Sequence, residues 1–191
     1  GIKKYSKYYS YARKAPYILN LFGENNSRRV ILERFIEGDE ISVEGFVING
    51  EAVILCGHDK PEIAGEYEFL DNIYSTPSEI LKENYGAINE IIKNSVHQLG
   101  LVNTPFHIEM RIKDSTPFII EVGARFGGGP LVENVKNAYG INLHRVYLDY
   151  ILRNNVTKVP DLLRSSTFII FQVMKEGVLQ SLPDINKYIN D

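Results

Sequence analysis

Two glutamates at matching positions of a predicted β-hairpin are the residues of this sequence best placed to do chemistry. Residues 106–112 alternate apolar and polar side chains, which is typical of a β-strand, and residues 117–122 form the returning strand. Glu109 lies on the polar side of the first strand, and Glu121 lies on the second. Carboxylates arranged in this way suit Mg²⁺, which is usually held by one or two carboxylates and completed by phosphates and water.

The apolar side chains of this hairpin favour one register. If Lys113 faces Pro117 across a three-residue turn, apolar pairs stack on one face, and a shift by one residue would break them. The pairs are Ile112 with Phe118, Met110 with Ile120, and Ile108 with Val122. The same register places Glu109 directly opposite Glu121, with β-carbons about 4.5–5.5 Å apart, where like charges destabilise a sheet.

Three interpretations of the carboxylate pair stay open at this point. The two groups could hold a metal ion, lie apart on a solvated face, or share a proton as an acid–base pair. Arg125 and the glycines of 127–129 follow at the same end of the hairpin, and they favour an anionic ligand. The run 123–129 lacks the Gly-Lys-Ser/Thr ending of a phosphate loop, however, and would also serve as a structural turn into the next helix.

The elements that must position these residues are predicted from periodicity and turn signals. Apolar-rich runs at 30–36, 40–48 and 52–56 indicate strands, and Asn49-Gly50 indicates a type I′ hairpin between the last two. Apolar residues spaced by three and four predict a helix over 81–99. Other predicted elements are helices near 6–21, 131–139 and 142–152 and a strand at 167–174.

The composition limits the classes of function. The chain has 191 residues, is 44% hydrophobic and 24% charged, and carries a formal net charge of −3, as a globular domain does. Its basic residues are scattered, so we expect neither a nucleic-acid nor a membrane partner. Cys56 is the only cysteine and is expected to be a small core residue, which fits a reducing cytoplasm.

Two blocks of sequence resemble the ATP-grasp enzymes. The run 106–109 with 117–128 is similar to the closing signature of the carboxylate–amine ligases related to carbamoyl-phosphate synthetase and to the amino acid ligases that form dipeptides. Residues 32–44 resemble the hinge strand of the same family. The resemblance implies an α+β ATP-grasp fold, in which an antiparallel sheet is flanked by helices.

The resemblance also implies roles for individual residues. Residues Glu33, Arg34, Phe35 and Ile36 would line the adenine slot, and Glu40 would accept from the ribose hydroxyls. Glu109 and Glu121 would hold Mg²⁺ (or Mn²⁺) against the ATP phosphates. Arg125 would be the catalytic residue that grips the terminal phosphate or the reacting carboxylate, and Gly127 and Gly128 would contact the substrate.

Two histidines and one lysine near these motifs each allow more than one interpretation. His107 could orient phosphate or substrate, or it could be a hydrogen-bonded strand histidine. His58 and Lys60 follow the first hairpin and could approach the ligand, but a solvated loop is the favoured interpretation. Gly123 stands where many family members have asparagine, which argues against a second Mg²⁺.

The implied reaction joins a small-molecule carboxylate to an amine or a thiol through an acyl phosphate, at the expense of ATP. We expect residues 1–160 to form a partial ATP-grasp domain without its N-terminal preATP-grasp domain, and 161–191 to begin a C-terminal subdomain. Such a piece would be inactive or weak alone, and would associate as a homodimer or with a complementing subunit. The alternative is a non-catalytic nucleotide-binding or subunit-docking module of a split ligase.

Overall fold

The described residues form one sheet of six antiparallel strands. The computed structural model describes residues 33–61, 73–153 and 161–170, together with 177, 178, 180 and 181. The strands are β1 (Asp39–Ile48), β2 (Glu51–Lys60), β3 (Ile73–Thr76), β4 (Pro105–Lys113), β5 (Thr116–Gly123) and β6 (Ser166–Ile169). Their order across the sheet is β5-β4-β1-β2-β3-β6, so β1 lies between β4 and β2.

Four helices are described with this sheet. They are α1 (Glu79–Glu83), α2 (Tyr85–Gln98), α3 (Leu131–Tyr139) and α4 (Leu143–Arg153). The single helix predicted over 81–99 is wrong in one respect, because Asn84 has φ −111° and ψ 20° and separates α1 from α2. In the part of the chain that the structure describes, no helix has the length and apolar character needed to cross a bilayer.

The first hairpin confirms the predicted turn but extends further than expected. Asn49 and Gly50 both have positive φ, 50° and 87°, as a two-residue type I′ turn requires. Leu55 is an unpaired residue in β2, because Glu44 faces Cys56 while Gly45 faces Ile54. The strand continues past this bulge to residue 60, so the expectation of a solvated loop at His58 and Lys60 is wrong.

The second hairpin places the two glutamates opposite each other, as predicted. Glu109 faces Glu121, and Ile108 faces Val122. The rest of the predicted register is wrong by one residue, because the pairs are Met110 with Ile119, Ile112 with Pro117 and Lys113 with Thr116.

The cause of this shift is a shorter turn balanced by a bulge. Asp114 and Ser115 have φ values of 49° and 60° and make a two-residue turn, whose backbone matches the twist of paired strands. Ile120 is the extra residue at the irregularity beside Glu109 and Met110, and its side chain is 47% exposed. The bulge restores the pairing of the two glutamates.

The strand predicted at 30–36 is wrong over its described part, because residues 33–37 form neither helix nor strand. Gly38 follows with φ 125°, and a β-carbon there would lie 2.2 Å from the Ile112 carbonyl oxygen, so the chain turns into β1 through a position that only glycine fits. The predicted helix at 6–21, residues 30–32, and the end of the predicted strand at 171–174 lie outside the described residues.

Helices cover both faces of the sheet. On one face, α1 and α2 bury Leu81, Ile88, Ile92 and Val96 against alternate residues of β1 and β4. On the other face, α3 and α4 pack against Phe46, Cys56 and Phe126. Cys56 is 4% exposed, which confirms it as a core residue.

The chain divides into two compact units, residues 1–35 and 36–191. All the strands and helices described above belong to the second unit. Strand β6 pairs with β3 in the same sheet. The predicted domain boundary at 160/161 stays a prediction.

Two glycine substitutions test the packing of the fold. A β-carbon at Gly45, beside the β2 bulge, would lie 2.3 Å from both the Val53 carbonyl oxygen and the Phe106 ring, so Gly45→Ala should lower the free energy of unfolding by about 1–3 kcal/mol. Gly86 lies in α2, and a β-carbon added there would meet nothing within 4 Å. Gly86→Ala should therefore raise the free energy of unfolding by up to about 1 kcal/mol. Urea denaturation measures both, and equal effects of the two changes would contradict this packing.

Candidate active site

A group of polar side chains occupies the face of the sheet opposite α2. Strand residues alternate between the two faces, so the neighbours of the buried Ile41, Val43, Ile108 and Met110 all point away from that helix. We call this group the polar face. It consists of Glu40, Ser42 and Glu44 from β1, His58 and Lys60 from β2, and His107, Glu109 and Arg111 from β4.

One half of the polar face is organised around Glu40. Its two carboxylate oxygens bind different cations: Lys60 Nζ lies 2.5 Å from Oε1, and Arg111 Nε lies 3.1 Å from Oε2. The side chains of Lys60 and Arg111 are each 5% exposed. Cross-strand register explains the contact, because Glu40 faces Lys60 on one side and Arg111 on the other.

The other half continues the alternation of charge. Lys60 Nζ also lies 3.3 Å from Glu109 Oε1, and the same oxygen lies 3.1 Å from His107 Nε2. The second ring nitrogen, His107 Nδ1, lies 2.6 Å from Oε1 of Glu44, which is fully buried. Basic and acidic groups therefore alternate from Arg111 through to Glu44, and each buried charge has a partner of opposite sign.

These contacts set the protonation of His107 and Glu109. Burial by itself lowers the pKa of His107, but hydrogen bonds to Glu109 and Glu44 outweigh it and raise the pKa to about 9. The hydrogen bond from His107, aided by Lys60, lowers the pKa of Glu109. The ring is therefore a cation at neutral pH, and the carboxyl group is an anion.

His58 has the opposite behaviour. Burial, followed by the charge of His107, lowers the pKa of His58 to about 3. Its Nδ1 lies 2.5 Å from Thr76 Oγ1, which accepts a hydrogen bond of 2.7 Å from Asn134 of α3. Asn134 accepts a hydrogen bond from Ser166 in turn, so this neutral network ties β2 and β3 to α3 and β6.

Two cavities border the polar face. One of about 550 Å³ is lined by residues that include Gly38, Glu40, Asp59 and Lys60. A smaller one of about 230 Å³ is lined by His107, Glu109, Arg125, Gly128 and the aromatic rings of Tyr74 and Phe168, among others. Lys60 also lies 5.3 Å from the centre of the Tyr74 ring.

Glu109 and Glu121, the predicted metal ligands, face each other across β4 and β5 but differ in exposure. The Glu109 side chain is 16% exposed, whereas Glu121 is 59% exposed and its carboxylate lies 3.7 Å from the Arg125 guanidinium. Among the described residues, no three acidic, histidine or cysteine side chains group closely enough to hold a metal ion. Two carboxylates fit a Mg²⁺ ion whose other ligands are phosphates and water.

The predicted substrate residues lie at the smaller cavity. Arg125 and Gly128 line it, and the Arg125 side chain is 57% exposed. Gly127 is different, because its backbone N–H donates a 2.9 Å hydrogen bond to Glu44 Oε2. That N–H is therefore held by the protein itself.

Two of the predicted nucleotide residues, Glu40 and Ile36, lie at the polar face. Glu40 lines the larger cavity, and the Ile36 carbonyl accepts a 2.8 Å hydrogen bond from Arg111. Glu33, Arg34 and Phe35 belong to the first unit and are exposed. Their adenine-binding role stays a prediction.

Three residues of the polar face do not follow from the sequence motifs: Glu44 and Arg111, for which the motifs imply no role, and Lys60, which was expected in a loop. A signal for Lys60 was present in the sequence. Cys56, His58 and Lys60 continue the alternation of β2, and pairing counted from the Asn49-Gly50 turn brings a basic residue opposite Glu40 once one bulge is allowed. Opposite charges on facing strands would have favoured the longer strand.

The two histidines predict how stability depends on pH. His107 has a raised pKa, so its contribution to stability is complete below pH 6.5 and is lost as the pH rises through about 9. His58 has a lowered pKa, so its contribution is complete above pH 6.5 and is lost as the pH falls towards 3. Urea titrations between pH 5 and 9 should therefore give a maximum near neutrality, and His107→Gln should flatten the decline above pH 7. An unchanged decline in that variant would contradict the assignment.

Known proteins are similar to this chain in both sequence and fold. Alanine–anticapsin ligase from Bacillus subtilis (strain 168) is 31% identical over 144 residues, which cover 69% of this chain and 30% of that protein. The chain thus spans less than a third of the length of this curated relative. The crystal structure of L-amino acid ligase from Bacillus licheniformis has a TM-score of 0.62 and 31% identity, covering 73% of this chain and 35% of that one.

A more distant solved structure supports the fold alone. Phosphoribosylglycinamide synthetase from Anaerococcus prevotii has a TM-score of 0.61 at 21% identity, covering 78% of this chain and 39% of that one. The sequence profile of the ATP-grasp domain matches residues 17–133, more than half of the chain. With its antiparallel sheet flanked by helices, the chain therefore belongs to the ATP-grasp family.

Proposed function

We propose that this chain is the nucleotide- and metal-binding part of a ligase that uses ATP to join a carboxylate to an amine. The observation that carries the proposal is the row of buried and partly buried charges that alternate in sign from Arg111 to Glu44 and border both cavities. Charged groups that have shifted pKa values and specific charged partners, and that border a cavity, are typical of functional sites.

The larger cavity suits the nucleotide. Glu40 at its wall would accept from ribose hydroxyls. The adenine-binding role of Glu33, Arg34, Phe35 and Ile36 is proposed from the family resemblance alone. Lys60 adjoins the same cavity, and its ammonium group lies between two carboxylates, so a phosphate could take the place of one of them without leaving the lysine unpaired. We assign Lys60 to the ATP phosphates on this ground.

Glu109 and Glu121 would hold Mg²⁺, or Mn²⁺, where the nucleotide phosphates complete its coordination. When bound, the metal would neutralise phosphate charge. The cations of His107 and Lys60 both contact Oε1 of Glu109 and lower the pKa of its carboxyl group. The carboxylate is therefore ionised at neutral pH, as a metal ligand must be.

The smaller cavity suits the substrate carboxylate. Arg125 would hold that group beside the terminal phosphate, and Gly128 lines the same cavity. Gly127 would act through its place in the loop, because its N–H is bound to Glu44. The carboxylate oxygen would attack the γ-phosphorus and release ADP. The amine would then attack the acyl carbon of the acyl phosphate, and the C–O bond would break as inorganic phosphate leaves with the proton lost by the amine. No covalent enzyme nucleophile takes part, so positioning carries most of the catalysis.

The relatives support amino acids as the compounds joined, because they are named alanine–anticapsin ligase and L-amino acid ligase. The free, buried Cys56 is compatible with a reducing cytoplasm, which we retain as the proposed location. A second copy or a complementing chain remains the proposed partner.

Metal-dependent ATP binding tests the carboxylate pair. The wild-type chain should bind ATP in calorimetry with Mg²⁺ and much more weakly with EDTA, whereas the double variant Glu109→Gln, Glu121→Gln should lose the difference. Glu133→Gln, at an exposed ion pair on α3, is the matched control and should keep it. Binding that ignores both the metal and the double variant would refute the site, and metal-dependent binding without any ligation by a reconstituted enzyme would favour a non-catalytic nucleotide-binding module.

The role of Lys60 in phosphate binding can be tested by comparison with Lys82, a lysine outside the site. Lys60→Met keeps the length of the side chain but removes a charge-assisted contact worth about 1.5–3 kcal/mol, so the Kd for MgATP should rise about tenfold or more. Lys82→Met removes a 75% exposed lysine of α1 and should leave the Kd within about twofold. Equal Kd values for both variants would exclude Lys60 from the phosphate site.

A further inference from the structure

Glu44 is the most deeply buried charged residue of the polar face, and none of the roles proposed above uses it. Its side chain is 0% exposed. Its two oxygens bind groups from different parts of the chain: Oε1 lies 2.6 Å from His107 Nδ1 on β4, and Oε2 accepts a 2.9 Å hydrogen bond from the Gly127 backbone N–H. One carboxylate therefore connects a strand of the sheet to the glycine-rich loop 125–129.

Gly127 is fitted closely to this contact. A β-carbon at this position would lie 2.5 Å from Glu44 Oε1 and 3.0 Å from His107 Nδ1, and 2.4 Å from Leu131 Cδ1. Glycine is thus required here by the approach of the carboxylate and the imidazole ring. If the loop moved relative to Glu44 and His107, it would break either the close packing of Gly127 against these two side chains or the hydrogen bond from its N–H to Glu44.

The connection continues to the predicted metal ligand. The other ring nitrogen of His107, Nε2, lies 3.1 Å from Glu109 Oε1. A histidine whose two nitrogens are both engaged has a fixed ring orientation, and this orientation fixes the carboxylate at its far side. The loop that carries Arg125, the buried Glu44 and the carboxylate of Glu109 thus form one continuous set of contacts.

We infer that Glu44 is a positioning residue that holds the glycine-rich loop and the Glu109 carboxylate in a fixed relation through His107. Because the metal would bind Glu109 and the substrate carboxylate would bind Arg125, this relation sets the distance between the metal site and the acyl substrate. The inference rests on the proposed function, since it takes Glu109 to be a metal ligand.

The test compares ATP affinity in Mn²⁺ with ATP affinity in EDTA for each variant of the chain. Glu44→Ala removes both contacts, and Gly127→Ala displaces them from the other side. Each should reduce the ratio of the two affinities about tenfold, the lower end of the effect seen when residues that orient metal ligands are changed. Glu44→Gln has one accepting oxygen in place of two, so it can accept from the Gly127 N–H or from the protonated His107 Nδ1, but not from both. Its affinity ratio should therefore lie between those of the wild type and Glu44→Ala.

The controls separate positioning from stability. Gly86→Ala places a methyl group in open space on α2 and should leave the ratio within twofold. Hydrogen exchange of the Gly127 amide, followed by NMR, reports whether Glu44→Ala has released the loop. If Glu44→Ala does not fold, Gly127→Ala and Glu44→Gln decide the question.

Two results would overturn the inference, and they differ from each other. If the Gly127 amide loses protection in Glu44→Ala while the affinity ratio stays within twofold of wild type, Glu44 stabilises the loop without positioning the metal ligand. If the wild-type chain shows no metal dependence at all, the proposed function fails, and the role of Glu44 fails with it.

Discussion

Charged groups can be buried in this sheet only because each one meets a partner of opposite sign, and the site depends on that constraint. An unpaired buried charge costs several kcal/mol, and removal of one member of a buried pair leaves the other exposed to that cost. Arg111, Glu40, Lys60, Glu109, His107 and Glu44 satisfy one another in series. A ligand that brings both a divalent cation and phosphates can exchange with these contacts while charge stays balanced.

The strand register makes this series, since the partners come from three different strands. Glu40 faces Lys60 on β2 and Arg111 on β4, and Glu44 faces His107. The bulge at Leu55 brings Lys60 opposite Glu40, and the bulge at Ile120 brings Glu121 opposite Glu109. Each bulge thus changes which side chains meet on the polar face while the apolar face still packs against α2.

Local signals in the sequence were sufficient for part of this structure. The Asn49-Gly50 turn, the alternation of β4 and the spacing of apolar residues in α2 each follow from short-range physics, and the structure confirms them. Bulges do not follow from such signals, because an extra residue is accommodated by tertiary packing. For this reason the predicted three-residue length of the second turn and the predicted loop at Lys60 were both wrong. Glu44 was missed because its partners, His107 and Gly127, are 63 and 83 residues away.

The most direct measurement is a crystal structure of the chain with Mn²⁺ and a non-hydrolysable ATP analogue, using the anomalous signal of the metal. We expect an anomalous peak between the Glu109 and Glu121 carboxylates. The phosphates should lie beside Lys60, and His107 should still contact Glu44. A nucleotide bound away from the polar face, or a metal that contacts neither glutamate, would contradict it.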